Sequence, residues 1–467
     1  MTETHLSDTR QTVKLGLIKV IPELFTEETF KAVYSIADGV YCELAGSAIS
    51  KREVALLSAK LQEWIEEDSQ IKLLFKEDYY YYQVGDIVVK TIHLANCDTK
   101  MIPPYRLIHF SNGFIVDFDY SKEEGDKPYL LPQRLSEAYQ LVQVWLEDLK
   151  LELVPDVNAY INSGRGIELL NISEAIQEKK ISLIADQITT QRRAIRVVLI
   201  SGPSSSGKTT FAQRLSTQLR VNGLKTVPLS LDDYFLNIKD RPCDAEGNCD
   251  FDSVYSLDLK LLHQQAKDLL EGNIVETPIF DFVSGKRSKK TRPMHLDPNE
   301  ILIIEGIHAL NPNLLAIDKR NILFKIYVSS LFLINIDLMN RVPTTDTRLI
   351  RRMVRGDLFR GVSPEQTFDM WANVRKGEQN NVFKFQEDAD VMFNSSIIYE
   401  LNALRPFAEA ALQKMPEDSP HNATKERLLN LLSFFEPLEA SKVPFNSILR
   451  EFIGGSIYYP EKRIKIY

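Results

Sequence analysis

Cysteine is scarce in this chain: four occur in 467 residues, at Cys42, Cys97, Cys243 and Cys249. So few exclude a disulfide framework as the source of stability. Cys243 and Cys249 lie close together in CDAEGNC, but neither a CxxC nor a nearby His pair completes a zinc set, so they read as loop cysteines. Long apolar runs are also missing, and none approaches the ~20 residues of a membrane helix. The N-terminal stretch MTETHLSDTRQTVKLG has no signal-peptide core. A soluble, cytoplasmic protein without a membrane partner is expected. Nor is there an excess of positive charge, since 56 Lys and Arg face 64 Asp and Glu for a net charge of -8. That balance argues against a protein held mainly on a nucleic-acid backbone. No internal repeat or low-complexity segment is visible. What the chain does contain is 44% hydrophobic residues, ample for packed cores.

Residues 1–150 read as an α+β domain. GVYCELAG and DIVVKTIHLA have strand character, and residues 51–68 place Val54, Leu57, Leu61 and Trp64 on one helical face. The run Tyr79 to Tyr82 reads as a packed strand rather than a stacking surface. Residues 151–190 form a helical connector, in which GRGIELLNISEAIQEKKISLIADQI suggests two connected helices. From Arg196 the apolar strands RVVLIS, TVPLSL, EILIIEG and LFKIYVS alternate with helical stretches. This pattern predicts a parallel sheet flanked by helices, spanning residues 191–415. Residues 416–467 form a C-terminal extension with one further helix and a tail. The fold class is therefore α/β, with an additional domain at the N-terminus and a helical extension at the C-terminus.

The clearest motif is Gly202-Pro203-Ser204-Ser205-Ser206-Gly207-Lys208-Thr209, followed by Thr210. It fits G-x-x-x-x-G-K-[ST], between a strand and the helical stretch FAQRLSTQLRVNG. In such a loop the backbone N–H groups curl around phosphate oxygens, and the following helix adds its positive end. Lys208 would reach the β- and γ-phosphates, and the Thr209 hydroxyl would ligate Mg²⁺. The motif indicates nucleotide binding and leaves the reaction open.

Three further segments bear on that reaction. Asp232 and Asp233, in SLDDYF, close the strand after the phosphate-loop helix, where parallel strands open into a ligand crevice. A carboxylate there can take a hydroxyl proton or help to hold Mg²⁺, although capping a turn is an equal alternative. Glu305, in ILIIEGIH, ends an apolar strand at the place of a second metal-site acid, with His308 beyond it as either a structural or a catalytic group. TRLIRRMVR carries Arg348, Arg351, Arg352 and Arg355, with Arg360 following. On a helix Arg348, Arg352 and Arg355 share a side where guanidinium groups can meet phosphate oxygens.

In order, these motifs resemble the uridine kinase/phosphoribulokinase family of P-loop kinases, together with DFDSVYSLDL, PIFDFVSGKR, IIEGIHALNP and ADVMFNSS. The overall form is similar to long bacterial nucleoside kinases with an extra N-terminal region, whose C-terminal run resembles NSILREFIGGS here. The resemblance implies a general base at Asp232, ribose contacts at Asp252 and a base-packing ring at Phe280. It also implies triphosphate-embracing arginines at Arg352, Arg355 and Arg360, and a Mg²⁺-site acid at Glu305. Two positions depart from the uridine kinase pattern: Gly285 stands where a pyrimidine-reading His is expected, and Val362 replaces a lid arginine. Losing such a polar partner weakens pyrimidine discrimination. In the N-terminal domain, GVYCELAG and ISKREVALLSAKLQEWIEED resemble the second additional domain of threonyl-tRNA synthetases. No HxxxH zinc pair is present, and His93 and His109 are isolated, so enclosure, assembly or regulation is expected there.

The expected function is an ATP- and Mg²⁺-dependent phosphotransferase acting on a small hydroxyl acceptor, most simply the 5′-hydroxyl of a nucleoside. A sugar-phosphate kinase, with Lys239 and Arg241 holding a substrate phosphate, is one alternative. A nucleotide-dependent regulatory or RNA-binding protein is the other. The acceptor and any self-association are left open.

Overall fold

The structure, a computed structural model, describes residues 3–36, 39–67, 70–118, 132–191, 194–241, 253–281, 284–315 and 322–458. Its first helix, α1 (Glu3–Leu24), lies where the sequence showed only a polar start. One side of it buries Val13, Leu17, Val20 and Ile21, a spacing that suits a helical face. Strands β1 (Phe30–Ile36) and β2 (Gly39–Leu44) follow, then α2 (Lys51–Glu66). Ser50 starts α2 with a capping box, its hydroxyl accepting from the Glu53 N–H while the Glu53 carboxylate accepts from the Ser50 N–H. As expected from their spacing, Val54, Leu57, Leu61 and Trp64 are buried.

Strands β3 (Ile71–Lys76), β4 (Tyr80–Val84) and β5 (Ile87–Thr91) make a three-stranded antiparallel sheet. Tyr82 is fully buried there, and its hydroxyl both donates to the Ala95 carbonyl and accepts from the Ala95 N–H. The tyrosine run is thus partly core. Strands β6 (Arg106–Phe110) and β7 (Gly113–Asp117) complete a second antiparallel sheet of order β1-β2-β7-β6.

Helices α3 (Gln133–Leu149), α4 (Val154–Tyr160) and α5 (Gly166–Thr190) lead to the second half. Where two helices were expected across residues 165–190, α5 is one helix of 25 residues. The reason is that no Gly or Pro follows Gly166 within it; the break comes earlier, at Gly164 with φ +78°. Helix α5 packs as a layer of the structure, and buries Leu169, Leu170, Ile181, Ile184 and Ile188.

Strand β8 (Val197–Ser201), α6 (Lys208–Val221), β9 (Lys225–Ser230) and α7 (Leu259–Leu270) come next. Two short antiparallel pairs, β10 (Val275–Thr277) with β13 (Arg292–Met294) and β11 (Phe280–Asp281) with β12 (Lys286–Arg287), interrupt the alternation. Strands β14 (Glu300–Glu305) and β15 (Leu323–Ser329), helices α8 (Thr344–Phe359) and α9 (Pro364–Asn381), strand β16 (Val391–Asn394) and helix α10 (Glu400–Leu412) finish the sheet and its cover. Helices α11 (Asn422–Ser433) and α12 (Arg450–Ile453) close the described chain.

The sheet has order β16-β15-β8-β14-β9, and every pair is parallel. Its register sets Glu305 opposite both Ile200 and Ser230. The carboxyl ends of β8, β9 and β14 therefore meet on one edge, the usual place for a ligand crevice. The largest apolar core runs without interruption from Val33 and Tyr41 through Val198 and Ile326 to Phe452. It crosses the expected boundaries near residues 150, 190 and 415. Among the described residues, no helix is long and apolar enough to cross a membrane.

Candidate functional site

The phosphate loop leaves β8 and enters α6 as its motif predicts. Gly207 adopts φ +81°, and a Cβ there would lie 2.5 Å from Cγ2 of Ile448, so only glycine fits. Ser205 also takes a positive φ of 59°, an unusual state for a side-chain-bearing residue. Two arginines of α8 hold it: Arg351 donates to its carbonyl at 3.3 Å and Arg355 to its hydroxyl at 3.1 Å. Lys208 is buried, with its Nζ donating to the Pro203 carbonyl at 2.9 Å. Burial lowers its pKa, against the raising influence of Glu305 and Asp232. Ser206 and Thr210 are buried, while Ser204 and Thr209 are half-buried.

Facing Lys208 are the two predicted acids. Asp232 sits in a single helical turn, Leu231–Tyr234, directly after β9. It is open to the crevice, yet the surrounding protein desolvates its carboxylate and raises its pKa, while Lys208, Arg360 and Arg355 pull it down. Glu305 is buried and accepts a 2.8 Å hydrogen bond from the Ser230 hydroxyl. Burial first, and then the charge of Asp232, push it up to about 7. A carboxyl raised from 4.5 to about 7 on folding favours the folded state below about 4.5, and this contribution is lost as the pH climbs through about 7. Denaturant titrations at pH 5 and pH 8 are expected to show wild type losing stability relative to Glu305→Gln as pH rises. A difference that stays constant between the two pH values would remove this assignment.

The arginines divide into two groups. Arg348 and Arg351 are 2% and 0% exposed. Arg348 pairs with Glu378 on α9, which also accepts from the Ser204 N–H at 2.8 Å. Arg351 pairs with Glu400 at the start of α10, with contacts of 2.5 and 2.7 Å. The expectation that Arg348 faces phosphate is thus corrected: its charge is already met by a carboxylate, because helical spacing cannot reveal what the neighbouring helix supplies. The second group is tied to the phosphate loop, Glu451 and Asp232. Arg352 donates to the Ser204 hydroxyl at 2.8 Å, and Arg355 donates to Glu451 at 2.9 Å. Arg360, exposed at the end of α8, interacts electrostatically with Asp232 and Arg352.

Glu451, from the C-terminal run NSILREFIGGS, was given no role in the sequence analysis. Its carboxylate accepts from the Thr210 hydroxyl at 2.9 Å and the Thr210 N–H at 3.4 Å, as well as from Arg355. It also interacts electrostatically with Lys208, Asp232 and Glu305. Arg287 is another residue that sequence reasoning missed. It donates to the carbonyls of Tyr234 and Phe235 at 2.8 and 3.0 Å and pairs with Asp258 at 3.0 Å, which fixes the turn bearing Asp232. A charged residue within the GKR of a quoted motif was the only signal available for it.

Asp233 points away from a metal role, accepting from the Phe280 N–H at 3.2 Å. Phe280 is 7% exposed and sits against Phe235, with the Arg241 guanidinium over both rings. Gly285 has φ +65°, and a Cβ there would lie 2.3 Å from Cδ1 of Ile238, so Ile238 takes up the space a side chain would use. His308 is buried beside Lys208 and drawn down to about 4, chiefly by desolvation; neither ring nitrogen has a hydrogen-bond partner among the described residues. Asp252, Cys243 and Cys249 lie outside the described residues. Among those described, no cluster of three or more His, Cys, Asp or Glu side chains is arranged to hold a metal. His109 instead contacts the Ile49 carbonyl at 3.0 Å.

Residues 197–399 match the Phosphoribulokinase / Uridine kinase family. A uridine kinase of Staphylococcus haemolyticus is 30% identical over 184 residues, which cover 39% of this chain and 79% of that protein. The chain belongs to the phosphoribulokinase/uridine kinase family. A second relative in this family, the uridine kinase of Mycoplasma genitalium, is 31% identical over 179 residues, 38% of this chain and 74% of that protein. A solved structure of a possible uridine kinase from Bacillus stearothermophilus aligns over 46% of this chain and 98% of its own, at 22% identity and a TM-score of 0.33. As in other kinases of the family, phosphotransfer is the chemistry to be explained. The family match includes the phosphate loop, Asp232, Glu305 and the arginines of α8, and it ends before Glu451.

Proposed function

We propose that the chain transfers the γ-phosphoryl group of ATP to the hydroxyl of a small molecule, with the 5′-hydroxyl of a nucleoside as the foremost acceptor. The observation that carries this reading is Asp232, a desolvated carboxylate open to the crevice and in electrostatic contact with Lys208 of the phosphate loop. A nucleotide-binding switch has no need of such a base. The names of the relatives, uridine kinases, support a nucleoside acceptor.

In this reading the acceptor hydroxyl donates its hydrogen bond to Asp232. Its oxygen attacks the γ-phosphorus in line as the bond to the β–γ bridging oxygen breaks, and the proton passes to Asp232. Lys208, Arg352, Arg355 and Arg360 offset the charge that spreads over the transferring group. Arg355 turns from Glu451 toward phosphate. The phosphate-loop backbone from Gly202 to Thr210 fixes the triphosphate, and positioning supplies much of the rate. Thr209 and Glu305 offer the hard oxygen ligands that suit Mg²⁺, which takes one or two carboxylates and fills its other positions with water and phosphate. The raised pKa values of the paired acids Asp232 and Glu305 are what a nearby cation would relieve. When bound, Mg²⁺ would neutralise phosphate charge. Phe280 and Asp252 are assigned to the nucleoside, and residues 1–150 to enclosure or regulation.

The test is ADP release with ATP and a panel of uridine, cytidine, adenosine, guanosine and ribulose 5-phosphate. A nucleoside is expected to raise turnover well above ATP alone. Stimulation by the sugar phosphate only would move the acceptor to the other branch of the family, and stimulation by none would sink the kinase reading.

A further inference from the structure

A cleft of about 1310 Å³ opens between the N-terminal sheet and the kinase half, lined by residues of α1, β1, β2, α8, α9 and α11. It does not include Lys208, Asp232 or Glu305, although its wall reaches Pro203 and Arg348 behind the phosphate loop. Besides Arg10 and Lys376, two cations that line it act on each other: Lys14 of α1, and Arg341 on the segment before α8. Neither makes an ion pair among the described residues. Lys14 donates only to neutral oxygens, to Asn340 Oδ1 at 2.6 Å and Thr91 Oγ1 at 3.4 Å.

The nearest carboxylates are committed elsewhere. Asp346 pairs with Arg427. Asp337 accepts from the backbone N–H of Met339 and Asn340. Desolvation lowers Lys14 to about 8 and Arg341 to about 10; Asp337 offsets part of this at Lys14, where the charge of Arg341 adds to it, and Asp346 offsets part of it at Arg341. His93, also in the cleft, is half-buried, and its enclosed Nε2 has no hydrogen-bond partner among the described residues. Lys14 and Arg341 are half-buried, and a partly desolvated charge is costly to hold without a counter-ion. The rest of the lining is mixed: Leu17, Phe118 and Trp371 give it apolar surface, and Asp8, Asp369 and Glu426 are among its polar groups.

We propose that this cleft is a second binding site, for a small organic phosphate whose dianionic end lies between Lys14 and Arg341 and whose aromatic or apolar body lies along Leu17, Phe118 and Trp371. A volume at or above the usual range of about 300–1,000 Å³ for ligand pockets accommodates a nucleotide-sized molecule. The segment bearing Arg341 also explains how occupancy would reach the kinase. It is tied to the N-terminal sheets by the Asn335 side chain donating to the Ala32 carbonyl at 2.9 Å and by Asn340 accepting from the Ile92 N–H at 3.2 Å. It then leads directly into α8, which carries Arg352 and Arg355.

The experiment uses the full chain with Lys208→Met, which weakens phosphate-loop binding, so that remaining affinity reports the cleft. Calorimetric titration is made with AMP, UMP, ribose 5-phosphate and inorganic phosphate. At least one nucleoside monophosphate is expected to bind, with affinity falling tenfold or more on adding Arg341→Gln or Lys14→Met. Without any anion, Arg341→Gln should melt no lower than its parent, because it removes an unpaired charge. Equal binding by the parent and both variants, or no binding by any probe, would overturn the proposal. Inorganic phosphate binding as tightly as the nucleotides would overturn the organic ligand class.

Discussion

Asp232→Asn is expected to lower kcat by about 10²–10⁴-fold, the usual contribution of a positioned general base, while the KM for ATP changes little. The side chain keeps its size and its place in the turn that Arg287 pins through two carbonyls. Its charge is what changes. Lys208 would lose one of the three acids that raise its pKa, and Glu305 would lose a repelling neighbour. The variant should therefore melt no lower than wild type, since Asp232 is a carboxylate held above its ordinary range by desolvation. Steady-state kinetics with the best acceptor, beside a thermal melt, check both parts. Full activity in the Asn variant would mean that the hydroxyl proton goes elsewhere. Lost activity with a lost fold would show that Asp232 supports the turn.

Arg351→Met is expected to cost about 3–5 kcal/mol of stability, the usual penalty for leaving one member of a buried ion pair alone. Arg351 and Glu400 are both fully buried. Arg351 also donates to the carbonyls of Ser205 and Ser395, at 3.3 and 3.1 Å. Its loss frees the strained Ser205 backbone as well as stranding Glu400. Adding Glu400→Gln should restore part of the loss by removing the stranded charge. Arg352→Met, one residue along the same helix, should leave stability nearly unchanged and raise the KM for ATP, because Arg352 is half-buried and bonds the Ser204 hydroxyl. Urea unfolding separates the two. An Arg351→Met protein within 1 kcal/mol of wild type would show that the pair's partners are well served without it.

Much of the kinase half was legible because its signals are local. A strand, a glycine-bearing turn and a helix are contiguous, so the phosphate loop declares itself from residue 202 to residue 210. Asp232 and Glu305 were readable for a related reason: each ends an apolar strand, and parallel strands of one sheet bring their ends to one edge. The arginines were only half legible. Five of them lie within thirteen residues, and helical spacing puts several on a shared side, but whether each meets phosphate or carboxylate depends on Glu378, Glu400 and Glu451. Those acids are 30, 49 and 96 residues distant from their partners, where no periodicity reaches. Helix α1 was missed because Leu6 is the one apolar residue of its sequence before Val13, so its start reads as polar.

By itself, then, the sequence determined the α/β class, the phosphate loop, the two strand-end acids and the family that their order resembles. All of these rest on contacts between residues near in the chain or on the fixed geometry of a parallel sheet. Only the tertiary structure decided that Arg348 and Arg351 close onto Glu378 and Glu400, while Arg352 meets the Ser204 hydroxyl and Arg355 spans Ser205 and Glu451. It alone brought Glu451 to Thr210, and set Lys14 and Arg341 in one cleft with no ion pair among the described residues. Charge acts through space, so the role of a charged side chain depends on which distant segment folds against it.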